Sequence, residues 1–254
     1  MKKSLHPSLC SWKRTRSRKT PDIVGGFFEK LVKRVLNARN GFGCEDLRMT
    51  RIDAGIEVKS GDNRHRIRIP CDQFESHQML ATGFPEPYRN FLYAIACYRN
   101  HMPRAHAHSG SALVRCRGEQ AVLRHLAENT SSVYVLDHRV IERLQSRRGH
   151  IGSTFPAQPG RKLVGLSRKF LRKFNENDGM RTLQDLGLGP SQWRVRERKV
   201  VVFVYVGLIK IRLAFNLVEV MPRDFFSGYD AVARVPHKDR PMRRTLRIPI
   251  GVTA

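Results

Sequence analysis

"DLRMTRIDAGIEVKSG", residues 46 to 61, decides how the chain is read. Asp46 and Glu57 stand on either side of "IDAG", a turn sequence whose Asp and Gly suit left-handed backbone. The flanking segments, 46 to 51 and 56 to 60, read as two strands of a hairpin. Side chains alternate along a strand, so Glu57 and Lys59 project from one face and Ile56 and Val58 from the other. A hairpin closing at 53 to 55 folds Asp46 back beside Glu57, although the sequence leaves the register open. Two carboxylates in one small volume are unfavourable unless one is protonated or a cation binds between them. A hard divalent ion with oxygen ligands, above all Mg²⁺, resolves the conflict. Lys59 would then orient the attacking water or stabilise charge developing on a phosphoryl group. Asp53 is a rival for the first acid, but its place in the turn favours a conformational role.

The flanks extend the pattern. In "GGFFEKLVKRVLNARNGFG", beginning at Gly25, Phe27, Leu31 and Val35 recur every four residues, as do Phe28, Val32 and Leu36. The two rows merge into one apolar helical stripe, bordered by Glu29, and Gly41 and Gly43 are the expected stop. After the hairpin, "SGDN" is a second turn. A third strand, 64 to 70, sets Ile67 and Ile69 against Arg64, Arg66 and Arg68, giving one apolar and one basic face. "CDQFESHQMLA" reads as a short helix and "NFLYAIACY" as a buried strand. Residues 25 to 99 therefore run helix, three strands forming an antiparallel unit, helix, strand.

With that order on the page, the opening stretch resembles the PD-(D/E)XK nuclease superfamily. The likeness rests on Asp46, ten intervening residues and Glu57-Val58-Lys59. "IEVKSG" is similar to the second half of the motif in Holliday junction resolvases and related nucleases. The resemblance implies an α/β fold with a restriction-endonuclease-like core (helix, three strands, helix, strand). It implies Asp46, Glu57 and the Val58 carbonyl as ligands of Mg²⁺, a catalytic Lys59, and Glu29 as an assisting acid on the first helix. Gln73, just past the third strand, stands where some members place a helpful glutamine. No proline precedes Asp46, a departure shared by many members. The likeness covers roughly 75 residues and does not reach the C-terminal half.

Beyond 99, "GEQAVLRHLAEN" reads as a helix, "SSVYVLD" as a strand and "HRVIERLQ" as a helix. "HIGSTFPAQPG", 150 to 160, has the composition of a linker. A basic helix through "RKLVGLSRKFLRKFNE" and Val-rich strands in 200 to 220 complete the reading. The expected organisation is a basic flexible arm over 1–20, a nuclease-like core over 21–149 and a C-terminal accessory α+β domain over 150–254. Trp193 and Phe203 are expected in the core rather than as stacking platforms.

The 254 residues carry 47 Lys+Arg against 22 Asp+Glu, a formal charge of +25. That surplus points to a polyanion, with DNA foremost, because the summed field attracts phosphates and counterion release adds affinity. The arm, with seven Lys and Arg in twenty residues and no acid, supplies Lys13, Arg14, Arg16, Arg18 and Lys19 as phosphate contacts. A solubilising tail or a transit peptide has the same composition. Arg64, Arg66 and Arg68 add to the expected nucleic-acid contacts.

Other chemistries lack their signatures. There is no Walker-type loop, no GxSxG and no HExxH. Cys97, His101, His106, His108 and Cys116 match no common zinc spacing. The five cysteines form no CxxC pair, which points to a reducing cytoplasm. "VVVFVYVGLIKIRLAFNLVEV" has Lys210 and Arg212 near its middle and reads as core strands rather than a membrane span. The expected function is a metal-dependent DNA endonuclease. Duplex cutters often pair two sites for two strands, so a homodimer is one assembly the reading allows, and the sequence leaves the oligomeric state open. The alternative is a non-catalytic nucleic-acid-binding protein or a nuclease-fold subunit of a larger DNA-processing machine.

Overall fold

In the computed structural model, the described residues are 20–41, 45–50, 53–62, 67–82, 90–100, 112–148, 163–166, 171, 174, 176–187, 192–206, 208–223 and 225. The arm residues Lys13, Arg14, Arg16, Arg18 and Lys19, the linker at 150 to 160, and Arg64 and Arg66 lie outside them.

Helix α1 (Thr20–Val35) buries the stripe read from the sequence, with Phe27, Phe28, Leu31 and Val32 almost wholly enclosed. It starts five residues before Gly25, so the Gly25-Gly26 pair lies inside the helix. It also ends earlier than the expected glycine stop. Asn37 adopts φ 50 and the Ala38 amide reaches back to the Lys33 carbonyl at 3.0 Å, a left-handed closure that Asn tolerates. The early stop leaves room for a strand, β1 (Arg39–Asn40), before β2 (Leu47–Met49) and β3 (Ala54–Asp62).

These three strands form an antiparallel unit. Leu47 pairs with Ile56, Met49 with Ala54, and Arg39 with Arg48. Asp53 turns the β2–β3 hairpin at φ 45, the conformational role its position suggested. The third member of the unit is thus β1 and not the segment 64 to 70. That segment supplies β4 (Ile67–Pro70), which pairs with β7 (Leu163–Leu166) in a separate two-stranded sheet. Local periodicity alone predicts one helix over 161 to 176. Residues 163 to 166 are instead extended, because the ladder offered by β4 outweighs local periodicity over four residues.

After β4 come α2 (Cys71–Thr82) and β5 (Asn90–Tyr98), which lies beside β3 and parallel to it. Helix α3 (Glu119–Asn129), strand β6 (Thr130–Asp137) and helix α4 (His138–Arg148) follow, as expected. The C-terminal part holds α5 (Glu176–Asp185) and a long hairpin of β8 (Trp193–Val206) and β9 (Ile209–Pro222). Strand β9 pairs in parallel with β6, giving a seven-stranded sheet of order β1-β2-β3-β5-β6-β9-β8. Residues from both sides of position 150 share this sheet.

Helices cover both faces, the α/β arrangement. On one face α1 and α3 pack on Ile56, Leu92, Ala94, Val133, Val135 and Leu217. On the other, α2, α4 and α5 cover Tyr93, Ile95, Leu136, Val218 and Val220. Strand β5, buried on both sides, is the hub of the sheet, as its apolar run "NFLYAIAC" requires. Among the described residues, no helix is long and apolar enough to cross a membrane. Among the described residues, Cys71, Cys97 and Cys116 form no disulfide.

Candidate active site

Strand β2 pairs only with 54 to 56 of β3, so past Ile56 that side of β3 has no strand partner among the described residues. Asp46, one residue before β2, fills the gap with its side chain. The Val58 amide donates to Asp46 Oδ2 at 2.7 Å. In an extended strand the N–H and C=O of one residue point to the same side, so the Val58 carbonyl also faces the Asp46 side. Gly41 holds this segment in place. Its amide donates to the Asp46 carbonyl at 3.0 Å, and a Cβ there would collide with the Glu45 carbonyl.

On the face covered by α2, Glu57 and Lys59 come together as alternation predicts. Lys59 Nζ donates to Glu57 Oε1 at 2.6 Å and to Gln73 Oε1 at 2.9 Å, and Gln73 Nε2 donates to Glu57 Oε1 at 2.7 Å. The three side chains close a triangle in which Gln73, on α2, holds both the acid and the base. The side chain of Glu57 is 4 % exposed and that of Lys59 21 %, and Gln73 is half-buried, so the carboxylate is the most enclosed member of the triangle.

Burial sets the electrostatics. It pushes the Glu57 carboxyl up to about 7; Lys59 opposes the shift and the Asp46 charge adds to it. The Asp46 carboxyl is also raised, by burial first, against the Val58 amide and Lys59. Glu29, at an exposed position on α1, is raised by partial burial and then by the Asp46 charge, which puts it within electrostatic reach of Asp46.

Two residues not singled out in the sequence complete the site. His77, fully buried one turn after Gln73, has Nε2 3.7 Å from Glu57 Oε2 and Nδ1 2.8 Å from the Tyr93 hydroxyl. Its ring stacks on Phe91 with centroids 4.3 Å apart. Tyr93, paired in register with Glu57, has a hydroxyl pKa raised by burial and by the Glu57 charge. The Gln73 to His77 interval of four is the one sequence signal, since it sets both on one helix face. Nothing local announces Tyr93, whose place depends on the β3–β5 pairing.

The buried acids elsewhere are satisfied. Asp137 takes Arg139 through Nε at 2.8 Å and Nη2 at 3.0 Å, and Glu219 takes Arg196 and Arg198 at 2.8 and 3.3 Å. Glu57 differs, because its Oε2 is buried without a hydrogen bond. Such an atom ordinarily costs about 1–3 kcal/mol, more for a charged group. Asp46, Glu57 and the Val58 carbonyl each offer hard oxygen, the donor type that Mg²⁺ takes. Among the described residues no three His, Cys, Asp or Glu side chains converge into a metal cluster of their own.

Arg68 is exposed on β4, as its place on the basic face required. Trp193 is buried, but Phe203 is 44 % exposed and is not core. Cys97 lies in the apolar cluster under β5, and Cys116 is half-buried beside the other. Comparison with protein-family models, with curated proteins and with solved structures returns no match for this chain.

Proposed function

We propose that the protein is a Mg²⁺-dependent endonuclease of the PD-(D/E)XK kind, with Asp46, Glu57 and Lys59 at its centre. One observation carries the reading: the Val58 amide to Asp46 bond, which draws the first acid of the motif onto the strand bearing the second acid and the lysine. The chain order supports it, since α1, three antiparallel strands, α2 and a strand parallel to the third follow the restriction-endonuclease-like plan. The intervening β4 is an addition to that plan.

Asp46, Glu57 and the Val58 carbonyl would hold the metal. When bound, a divalent ion of this kind polarises a phosphoryl oxygen and makes water acidic enough to attack near neutral pH. The chain's own groups do the rest. Lys59, partly exposed, meets the non-bridging phosphoryl oxygen on which charge grows. Gln73 keeps the ammonium over the acids so that little reorganisation is needed as that charge appears. His77, wedged between Phe91 and Tyr93, limits where Glu57 can swing. A net charge of +25 brings the phosphate backbone to the protein.

Incubating the purified protein with plasmid and branched DNA, in Mg²⁺ and in chelator, tests the reading. Cleavage in Mg²⁺ that chelator and Glu57→Ala both abolish is the expected result. Tight DNA binding without cleavage under any divalent ion would favour a non-catalytic binding protein or a nuclease-fold subunit instead.

A further inference from the structure

The free half of the β8–β9 hairpin carries a second surface. Val201, Phe203 and Tyr205 on β8 are 54 %, 44 % and 56 % exposed. Phe203 pairs across the ladder with Arg212 and Tyr205 with Lys210, both exposed, and Lys199 stands one same-face step from Val201. The opposite side of the same strands is different: Val204, Ile211, Leu213 and Phe215 are buried in the core over α1 and α3. An edge strand thus shows aromatics and cations outward where alternation alone would allow an ordinary polar face.

We infer that this face binds single-stranded nucleic acid, with Phe203 and Tyr205 as base-stacking platforms and Lys199, Lys210 and Arg212 as phosphate contacts. The rings are two residues apart on one strand, about 6.8 Å, roughly twice the 3.4 Å separating stacked bases in a duplex strand. A base can lie on each ring only where the strand has been unstacked, which a duplex does not offer and a single strand does. Lys210 Nζ lies 4.3 Å from the Phe203 ring centroid. An exposed cation–π contact is weak, so an arriving base displaces the ammonium, which remains beside the ring at the backbone. Charge argues against a second copy as the occupant. Two such faces brought together would set Lys199, Lys210 and Arg212 against their own duplicates, with Glu197 the one acid on the exposed face of β8.

The surface lies on the same side of the sheet as the carboxylate site. The row of Glu57 runs through Tyr93, Leu136 and Val220 to Val195, and Phe203 is eight residues along β8 from Val195. That is about 27 Å along the strand and about 19 Å across four strand spacings, too far for Phe203 to touch Glu57. The inference rests on the proposed function only in taking a polynucleotide as the substrate, and it can fail while cleavage stands.

The test is anisotropy of labelled oligothymidylate of about 20 nucleotides, and of a matched duplex, titrated with the full chain in chelator. Phe203→Ala with Tyr205→Ala is expected to weaken single-strand binding at least about tenfold, with duplex binding changed far less and the salt slope kept. Lys210→Gln with Arg212→Gln should lower the single-strand salt slope by about 1.4, at about 0.7 per phosphate contact. Unchanged single-strand affinity in the folded aromatic variant would overturn the inference. So would a shift from dimer to monomer in sedimentation without loss of binding, which would make the face a contact between copies. Should the variant fail to fold, photocrosslinking of the parent protein to iodouracil-substituted oligonucleotide decides: adducts at Phe203 or Tyr205 support the surface, and adducts only elsewhere reject it.

Discussion

Asp46 Oδ2 accepts the Val58 amide at 2.7 Å across twelve residues of chain, and this bond ties the two halves of the carboxylate site together. It continues, by a side chain, the ladder that β2 abandons after Ile56. Asp46→Asn keeps an oxygen that can accept the same bond and removes only the charge. The variant should therefore fold as the parent does while losing cleavage by at least about a hundredfold. Circular dichroism and a plasmid-nicking assay read the two outcomes; a variant that cuts normally would remove Asp46 from the site.

Glu57→Gln should stabilise the protein at alkaline pH in the presence of chelator. The native carboxyl, raised to about 7, keeps its proton where the unfolded one, near 4.5, has lost it. The native state therefore binds more protons between those values, and stability declines as pH rises through that window. Above it the charged carboxylate costs about 3 kcal/mol, which Gln lacks. Thermal unfolding of variant and parent should coincide near pH 4 and separate by roughly 6–12 °C at pH 8. A gap that is equal at both pH values would mean that the carboxylate is not strained by burial.

Gln73→Ala should lower kcat by about 10- to 100-fold with little effect on KM for DNA. Gln73 holds Lys59 Nζ at 2.9 Å and Glu57 Oε1 at 2.7 Å, so its loss leaves the ammonium tethered by Glu57 alone and the carboxylate without its amide donor. Gln73→Glu can still accept from Lys59 but adds a carboxylate beside Glu57, so it should not restore turnover. Single-turnover cleavage at saturating protein separates the change in rate from binding.

Gly41→Ala probes how Asp46 is held. The added methyl would meet the Glu45 backbone carbonyl, which cannot swing aside as a flexible side chain would. The loop must shift, at about 1–3 kcal/mol, and Asp46 shifts with it. Both the midpoint of urea unfolding and the cleavage rate should fall. Loss of stability alone would show that Asp46 reaches Val58 by another path.

The hairpin was legible because its signals are local. Asp53 and Gly55 mark the turn, and alternation over 56 to 60 puts Glu57 and Lys59 on one face. The stripe of α1 was legible for the same reason. What the sequence withheld depends on partners far along the chain. Alternating Ile67 and Ile69 specify a buried face but not a neighbour, and the neighbour is 163 to 166, nearly a hundred residues on. Those four residues look helical beside "SRKFLRKF" and become a strand only because β4 is there to pair with. Phe203 reads as core because it lies in the Val-rich run of 200 to 220. Its strand closes the edge of the sheet, and at that end its outer face is left to solvent. His77 and Tyr93 enter the site through the packing of α2 on β5, which no local pattern encodes.

The parallel pairing of β6 with β9 also sets a schedule for synthesis. Leu136 must wait for Val220, more than eighty residues later, before its strand gains its second neighbour. At about 5–20 residues per second, the nascent chain spends roughly 4–17 s with an apolar strand edge open beside the finished β3–β5–β6 portion. Open edges of this kind recruit other chains. The newborn protein is thus most vulnerable to aggregation before its last strands emerge, and a fragment ending at 149 would remain in that vulnerable state permanently.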